Sequence, residues 1–298
     1  MTQSPPHHGN LVLLLAGSLV VGWRPLIHTF ALALRNDEYT HILLILPVSL
    51  ALIILDWNAL RPMFGTNVRS GTCLLVPAAL IASFAKAWSA SLPPDVRLSI
   101  DMFALVLFWI GALVLCLGSR VARSLLFPLC FLFWLVPFPQ VMLTGIVGLL
   151  QRGSAWAAHA LFAVAGVPVA QDGVVLSIPG LALEVAQECS SIRSSLMLLV
   201  TTMVLAQLLL RSAWRKSLVI AIAVPLSVAK NGLRIFTIAM LGTRVDPGYL
   251  TGRLHHEGGV VFFSIALAAV FFLVWILRCI EIRLPGTHNE VRPAVLKS

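Results

Sequence analysis

Charged residues are scarce in this chain. Only 11% of its 298 residues are Asp, Glu, Lys or Arg, whereas about a quarter is usual in soluble globular proteins. Hydrophobic residues make up 59%, and the mean hydropathy is +0.94. These values exclude an ordinary soluble domain and predict a polytopic membrane protein.

Acidic residues are the scarcer of the two charged classes. The chain has 12 Asp and Glu against 21 Lys and Arg, which gives a formal net charge of +9. Such an excess can indicate nucleic-acid binding. Here, however, the basic residues stand in small groups between apolar runs, with no continuous basic stripe. Membrane topology explains this pattern better, and no nucleic-acid partner is expected.

Apolar runs long enough to cross a bilayer recur along the chain. A hydrocarbon core about 30 Å thick takes roughly 20 apolar residues in a helix. The sequence therefore predicts an all-α protein with eight spans, at 11–34, 40–60, 71–90, 99–118, 124–139, 190–210, 217–241 and 258–278. The fifth span is short and ends at Val136-Pro137-Phe138-Pro139, where proline favours a break in the helix.

The basic groups between the spans all fall on one predicted side of the membrane. They are Arg61, Arg69, Arg120, Arg123, Arg211, Arg215, Lys216, Arg278, Arg283, Arg292 and Lys297. Since cytoplasmic loops carry the excess of Lys and Arg, both termini are expected in the cytoplasm. Residues 1–298 are then one integral membrane domain, with an extracytoplasmic cap at 140–189 and a cytoplasmic tail at 279–298.

The cap segment combines two patterns. Val141 to Ala165 suits a helix that lies in the membrane interface or packs on the spans. From Gly166 to Gly180, turn residues alternate with β-branched runs, which predicts a short β-hairpin followed by Leu181 to Val185.

Cysteine is also rare, and only one of the five falls on the outer side. Cys73, Cys116, Cys130 and Cys279 lie within spans or at their cytoplasmic ends, and are expected to be small buried side chains. Cys189 has no outer partner for a disulfide. It follows Glu188 and stands where a helix is expected to begin, a position that favours the reactive thiolate. Cys189 is therefore a candidate nucleophile.

Arg234 is the second candidate, because it stands within an apolar run. An arginine at the centre of a membrane helix costs about 2.5–3.5 kcal/mol on insertion scales and is usually functional or paired. Its planar N–H groups suit an oxyanion, or could stabilise a thiolate. Asn231 could orient it. Snorkelling or a structural ion pair with no role in chemistry stays open for Arg234 and its neighbour Lys230.

His255 and His256 lie just before the eighth span, on the same side as Cys189. An imidazole can accept a thiol proton and return it to a leaving amine, and one of the two is enough. His41 and His159 are also predicted to be outside, and either could serve instead. The sequence His-His-Glu lacks the His-Glu-x-x-His spacing of a zinc site, so neither a metal nor another cofactor is expected.

Taken together, these residues resemble the exosortase/archaeosortase family of integral membrane cysteine transpeptidases. The motifs that carry the resemblance are Glu38-Tyr39-Thr40-His41, Pro137-Phe138-Pro139, Gly166-Val167-Pro168-Val169, Leu183-Glu184-Val185, Glu188-Cys189-Ser190-Ser191-Ile192-Arg193 and Asn231-Gly232-Leu233-Arg234-Ile235. The last is similar to the family's Asn-x-x-Arg motif. His255 with Gly259 is similar to its His-x-x-x-Gly element, which favours His255 over His256. The family usually has Ala-Cys-Ser-Gly-Ile around its nucleophile, so Glu188 and Ser191 are departures.

The resemblance implies roles for these residues and a class of substrate. Cys189 is the nucleophile, His255 is base and then acid with His256 as the alternative, and Arg234 binds the oxyanion. The implied substrates are secreted proteins with a C-terminal tail made of a short motif such as Pro-Glu-Pro, a transmembrane helix and a basic cluster. Arg193 is expected to contact the acidic side chain of that motif.

The resemblance also implies a location and an acceptor. The protein is expected in the bacterial inner membrane, surrounded by lipids, with its site on the extracytoplasmic face. The cleaved protein would pass from a Cys189 thioester to a surface amine or to a glycan or lipid acceptor.

Two other classes of protein stay open. A membrane acyltransferase or lipid-modifying enzyme would use a histidine and a buried arginine but would tolerate the loss of Cys189. A transporter or scaffold would keep its charges along a path through the membrane midplane, whereas here they gather on the predicted outer face.

Overall fold

The structure, a computed structural model, describes residues 8–185, 192–250 and 259–283. These residues form two compact units, one that ends at Gln140 and one that starts at Val141. Helices make up nearly all of the first unit. The second unit combines helices with a small sheet.

The first unit contains seven α-helices within the described residues. They are α1 (His8–Val21), α2 (Trp23–Arg35), α3 (Ile42–Leu60), α4 (Val68–Ala87), α5 (Pro94–Leu117), α6 (Ser119–Ser124) and α7 (Leu126–Phe131). Short 3-10 helices lie at Asp37–Tyr39, Arg61–Met63 and Leu132–Leu135. The spans predicted at 40–60, 71–90 and 99–118 correspond to α3, α4 and α5.

The span predicted at 11–34 is divided into two helices, because α1 and α2 meet at Gly22 with a bend of 68°. Pro25 has no N–H group to donate to the Val21 carbonyl, so a helix cannot continue through this point without losing a hydrogen bond. Gly22 also fits tightly against α5, since a Cβ there would lie 2.9 Å from Cδ1 of Leu105. The two helices together are still apolar enough to span a bilayer, although Arg24 interrupts the run, so the hydropathy predicted one span.

Helices α4 and α5 are the most closely packed pair in the first unit. Asn67 caps α4, because its side-chain oxygen accepts a hydrogen bond of 3.0 Å from the Ser70 N–H. The same side chain donates to the Ser119 hydroxyl, just beyond the end of α5. A Cβ at Gly71 would lie 2.6 Å from Cα of Leu115, so only glycine permits this approach.

The proline break predicted after the fifth span is confirmed, although the helical part ends at Leu135 rather than at 139. The extended chain there is held by side chains from elsewhere in the unit. The Ser99 hydroxyl donates to the Pro137 carbonyl at 2.7 Å, and the Tyr39 hydroxyl donates to the Phe138 carbonyl at 2.9 Å. Polar residues thus satisfy carbonyls that a helix would have paired.

Not every cysteine within the predicted spans is buried. Cys116 is buried as expected, whereas Cys73 and Cys130 are exposed and Cys279 is half-buried. The expectation was wrong for the two exposed residues, because a small apolar side chain on a membrane helix can face lipid tails that are themselves apolar.

The second unit contains four α-helices and three strands within the described residues. They are α8 (Gln140–Val164), β1 (Ala170–Asp172), β2 (Val175–Ile178), β3 (Leu181–Glu184), α9 (Ile192–Leu209), α10 (Ala213–Arg244) and α11 (Gly259–Arg283). The helix predicted over 141–165 is confirmed. The predicted hairpin is β1 and β2, but Leu181 to Glu184 adds a third strand, in the antiparallel order β1-β2-β3.

Helix α9 runs antiparallel to α10. Ser194, in the first turn of α9, contacts Lys230, whereas Gln207 near the end of α9 accepts a hydrogen bond of 2.8 Å from Lys216. As the residue numbers rise along α9, they fall along α10. The N-terminal end of α9 therefore lies beside the second half of α10.

Helix α11 is also antiparallel to α10. Near the end of α11, the Glu281 carboxylate accepts N–H groups from Arg211 and Ser212 at 3.0 and 2.9 Å, and lies 3.3 Å from the Arg215 guanidinium. Toward the start of α11, Phe262 lines a groove together with Leu233 of α10. The N-terminal ends of α9 and α11 consequently lie at the same end of the second unit.

Six helical segments are long and apolar enough to cross a membrane among the described residues. They are Asp37–Met63, Val68–Ala87, Pro94–Leu117, Ile192–Leu209, Ala213–Arg244 and Gly259–Arg283. The number rises to eight if two bent pairs each count as one span, namely Gly9–Val21 with Trp23–Arg35 and Leu126–Leu135 with Gln140–Val164. The predicted all-α polytopic fold with about eight spans is confirmed within this range.

Candidate active site

Arg234 lies on the buried face of α10, with 9% of its surface exposed. This face also carries Asn231, which is 1% exposed and donates from its side-chain amide to the Ser154 hydroxyl of α8 at 2.9 Å. The sequence predicted that Asn231 orients Arg234. The structure shows a bond from Asn231 to α8, which fixes the stretch of α10 on which Arg234 stands.

Lys230 stands one turn before Arg234 and is 6% exposed. Its ammonium group donates to the Ser194 hydroxyl in the first turn of α9. Within the described part of the chain, no carboxylate lies within ion-pair distance of this ammonium. Burial of a cation among apolar side chains is costly, so Lys230 and Arg234 together make this region unusual for a membrane helix.

Helix α8 runs alongside α10 in the same direction. Ala157 contacts the Gly232 backbone, and Phe162 packs against Phe236 with ring centroids 5.0 Å apart. A Cβ at Gly232 would lie 2.6 Å from Cβ of Ala157 and 3.0 Å from the Ala158 nitrogen. Small residues thus let the two helices approach closely beside Asn231 and Arg234.

The Gly232 contact leads to a prediction about stability. Gly232→Ala is expected to cost about 1–3 kcal/mol of unfolding free energy, because the new methyl group overlaps Ala157 in a packed interface. Gly145→Ala on α8 is the matched control, since no described atom outside the nearby backbone of α8 lies within 4 Å of its Cβ position. That variant should be neutral or slightly more stable, because alanine favours a helix. Thermal unfolding midpoints of the two purified variants in detergent make the comparison, and equal midpoints would contradict the close approach.

The three-stranded sheet packs on the same part of α8 and α10. Its buried side chains join a cluster of Ala155, Ala158, Phe162, Leu176, Ile178, Val185, Ile235 and Ala239. Leu181 and Leu183 of β3 pack against this cluster as well. The sheet therefore lies at the end of the unit that carries Arg234.

The residue that follows β3 has hydrogen bonds at both its N–H and its carbonyl group. Val185 is buried, and its N–H donates to the Val174 carbonyl at 3.0 Å. The side-chain amide of Gln151 on α8 donates to the Val185 carbonyl, also at 3.0 Å. Ile192, which begins α9, is buried too. Residues 186–191 thus connect two positions that are anchored in the core of the second unit.

The predicted site residues differ in what the structure describes. Cys189, His255 and His256 lie outside the described residues. Arg193 is exposed in the first turn of α9 and stands four residues after Cys189 in the sequence. Asn231 and Arg234 are buried on α10.

The two other candidate histidines are described. His159 is half-buried on α8 in the second unit. His41 is buried in the first unit, where its Nδ1 lies 3.2 Å from the Glu38 carbonyl and its ring packs edge-on against Trp134 at 6.1 Å. These contacts give His41 a packing role within the first unit.

Comparison with known protein families adds the decisive observation. The family model described as transmembrane exosortase matches residues 29–272, which is most of the chain. The chain belongs to the transmembrane exosortase family. No curated protein and no solved structure matches it. The exosortase match runs from α2 into α11 and spans Cys189, Arg234 and both candidate histidines, and it agrees with a multi-pass membrane protein.

Sequence reasoning missed several residues that hold this exosortase-family site in place. Ser154, Ser194 and Gln151 each bond to a residue at least 34 positions away along the chain. The available signal was that Gln151 and Ser154, three residues apart, are polar residues on one face of an apolar helix. Their partners could not be read from spacing, because the contacts join different helices.

Proposed function

We propose that this exosortase-family protein is a membrane cysteine transpeptidase. It cleaves C-terminal sorting tails from secreted proteins through a Cys189 thioester. It then passes the cleaved proteins to a surface amine or to a glycan or lipid acceptor. The observation that supports this most directly is the position of Arg234, buried at the end of the second unit where α9 and α11 both begin. Cys189 precedes α9 by three residues, and His255 precedes α11 by four.

The proposed reaction has two halves. The Cys189 sulfur attacks the carbonyl carbon of the scissile peptide bond while His255 takes the thiol proton, and Arg234 N–H groups stabilise the oxyanion. The carbon–nitrogen bond then breaks, and His255 gives its proton to the leaving amine of the tail. In the second half an acceptor amine attacks the thioester carbonyl and His255 takes the proton of that amine. The carbon–sulfur bond then breaks, and His255 returns the proton to the leaving sulfur to restore the thiol of Cys189. His256 is the alternative base.

Recognition of the tail forms part of the same proposal. Arg193 is exposed in the first turn of α9, four residues after Cys189, and a guanidinium there suits the acidic side chain of a short tail motif. The basic ends of α10 and α11, at Arg215, Lys216 and Arg278, lie at the opposite end of the unit from Arg234. By the positive-inside rule, the Arg234 end faces outward from the inner membrane.

A single-cysteine variant tests the nucleophile and its side of the membrane together. Cys73, Cys116, Cys130 and Cys279 are replaced by alanine, and processing of a reporter with a cognate tail is followed in intact spheroplasts. We expect processing to persist in this variant and to stop when a membrane-impermeant thiol reagent is added. A matched variant that also carries Cys189→Ala should leave the reporter full length and bound to the membrane.

Two outcomes would count against the proposal. Normal processing by Cys189→Ala, at an equal level of protein in the membrane, would exclude the thioester and favour the acyltransferase class. Inhibition of the single-cysteine variant only after permeabilisation would place the thiol on the cytoplasmic side.

A further inference from the structure

Strand β3 is an edge of the three-stranded sheet, and its outer side carries a regular row of backbone groups. The Val185 N–H bonds to the Val174 carbonyl, so in an antiparallel pair Leu183 and Leu181 are the residues that exchange hydrogen bonds with β2. Ala182 and Glu184, which alternate with them, direct their N–H and C=O groups away from β2. Both residues are exposed.

This edge lacks most of the features that usually block strand addition, although Glu184 is a charged residue on it. Its sequence, Leu181 to Glu184, contains no proline, no lysine and no bulge in its register with β2. The leucine side chains pack against the α8 and α10 cluster, and Gln151 holds the carbonyl of Val185. Among the strands that the structure describes, none pairs with this side of β3.

We propose that the open edge of β3 binds an extended segment of the polypeptide substrate as a fourth strand. Alternating donors and acceptors at strand spacing complement another peptide backbone, which neither a lipid nor a sugar reproduces. Backbone pairing also tolerates varied side chains, which suits an enzyme that acts on many secreted proteins. The inference rests on the proposed function, and Glu184 stands five residues before Cys189 in the sequence.

The edge itself can be blocked by a proline. Ala182→Pro removes an N–H group that points away from β2, so the bonds within the sheet remain, while the ring obstructs an incoming strand. Loss of one backbone hydrogen bond is expected to lower kcat/KM by roughly 2- to 10-fold. The change should appear mainly as a higher KM, because the lost contact binds the substrate before and during reaction alike.

A proline on the far edge of the sheet is the matched control. Gln171 of β1 pairs with Leu176 and, by the same alternation, directs its N–H away from β2 on the opposite side. Gln171→Pro should therefore perturb the sheet to a similar degree without touching the β3 edge. Both variants are measured as full-length protein in detergent or nanodiscs, with thermal unfolding recorded beside kcat and KM.

A modified substrate tests the same contact without altering the enzyme. A synthetic peptide that spans the cleavage site of a cognate tail is methylated at one backbone nitrogen at a time. Strand pairing predicts that KM rises at every second position and stays unchanged between them. The unmodified enzyme serves throughout, so misfolding cannot imitate the result.

Three results would overturn the inference. The first is an equal kcat/KM for Ala182→Pro and Gln171→Pro, and the second is a methylation profile in which KM does not alternate. The third is a loss of self-association in Ala182→Pro with unchanged kcat/KM, which would assign the edge to a second copy of this chain. If Cys189→Ala still processes the reporter, the proposed function fails instead. The two failures are therefore distinguishable.

Discussion

Arg234→Lys is expected to slow tail processing by about 100- to 1000-fold, nearly as much as Arg234→Ala. Lysine keeps the positive charge but loses the planar set of N–H groups, and loss of one oxyanion donor typically has an effect of this size. The surroundings of Arg234 support a large effect. Position 234 is buried, and contacts of Asn231 and Gly232 with α8 fix this part of α10, so the helix cannot move to bring a lysine ammonium into the place of the guanidinium. The measurement is the rate of reporter cleavage at equal enzyme level in the membrane.

Arg244→Lys is the matched control for this prediction. Arg244 is an exposed arginine in the last turn of the same helix, so its replacement makes the same chemical change away from the buried face. Its rate should stay within about a factor of two of the unchanged protein, as expected for a surface substitution. A rate for Arg234→Lys close to that of Arg244→Lys would show that charge alone suffices and that the planar geometry has no role.

His255→Ala is expected to reduce the cleavage rate by about 100- to 10,000-fold, the range for loss of a general acid–base group. His256→Ala should retain most of the activity, since one imidazole serves both halves of the proposed reaction. Added imidazole in the medium should restore part of the rate of His255→Ala, an effect that a purely structural histidine would not produce. Cleavage of the reporter with and without imidazole makes the test.

His159→Ala provides the reference for a histidine in the same unit that the proposal does not use. It should process the reporter at close to the normal rate. An inactive His256→Ala beside a normal His255→Ala would move the assignment by one residue. Normal rates for both would remove this pair from the mechanism and make His159 and His41 the next residues to replace.

The sequence was sufficient to predict the helices α9, α10 and α11 of the candidate site. A bilayer accepts few backbone arrangements, so apolar runs of about 20 residues predicted α9, α10 and α11. An arginine in such a run is costly enough to stand out, and Arg234 is indeed buried. The family assignment followed from short motifs around these same residues.

The sequence did not predict the bend between α1 and α2 or the third strand of the sheet. The two helices that meet at Gly22 are apolar enough when taken together, so their averaged hydropathy predicted one span and not the bend. The sequence predicted only that Leu181 to Val185 follows the hairpin. The pairing of Leu181 to Glu184 with β2 depends on packing against α8 and α10 as well as on the two-residue turn at Pro179-Gly180.

Contacts between helices were also beyond the sequence. The bonds from Lys230 to Ser194 and from Gln151 to Val185 join residues whose separation follows no period of a helix or strand. Such pairs depend on which helices become neighbours, which is a property of the folded unit. The proposal for the β3 edge therefore required the structure, because the register shows which backbone groups point outward.

The directions of the helices in the second unit have an electrostatic consequence. Each helix carries a dipole equivalent to about half a positive charge at its N-terminal end. The first turns of α9 and α11 lie beside Lys230 and Leu233, so two such ends add to the charges of Lys230 and Arg234 there. The opposing C-terminal ends of α8 and α10, at Val164 and Arg244, lie beyond this level, and the effect of a helix end falls off within its last turn. The thiolate and the oxyanion of the proposed reaction are both anions. The backbone would then stabilise them through a field that is established when the helices pack, before any substrate binds.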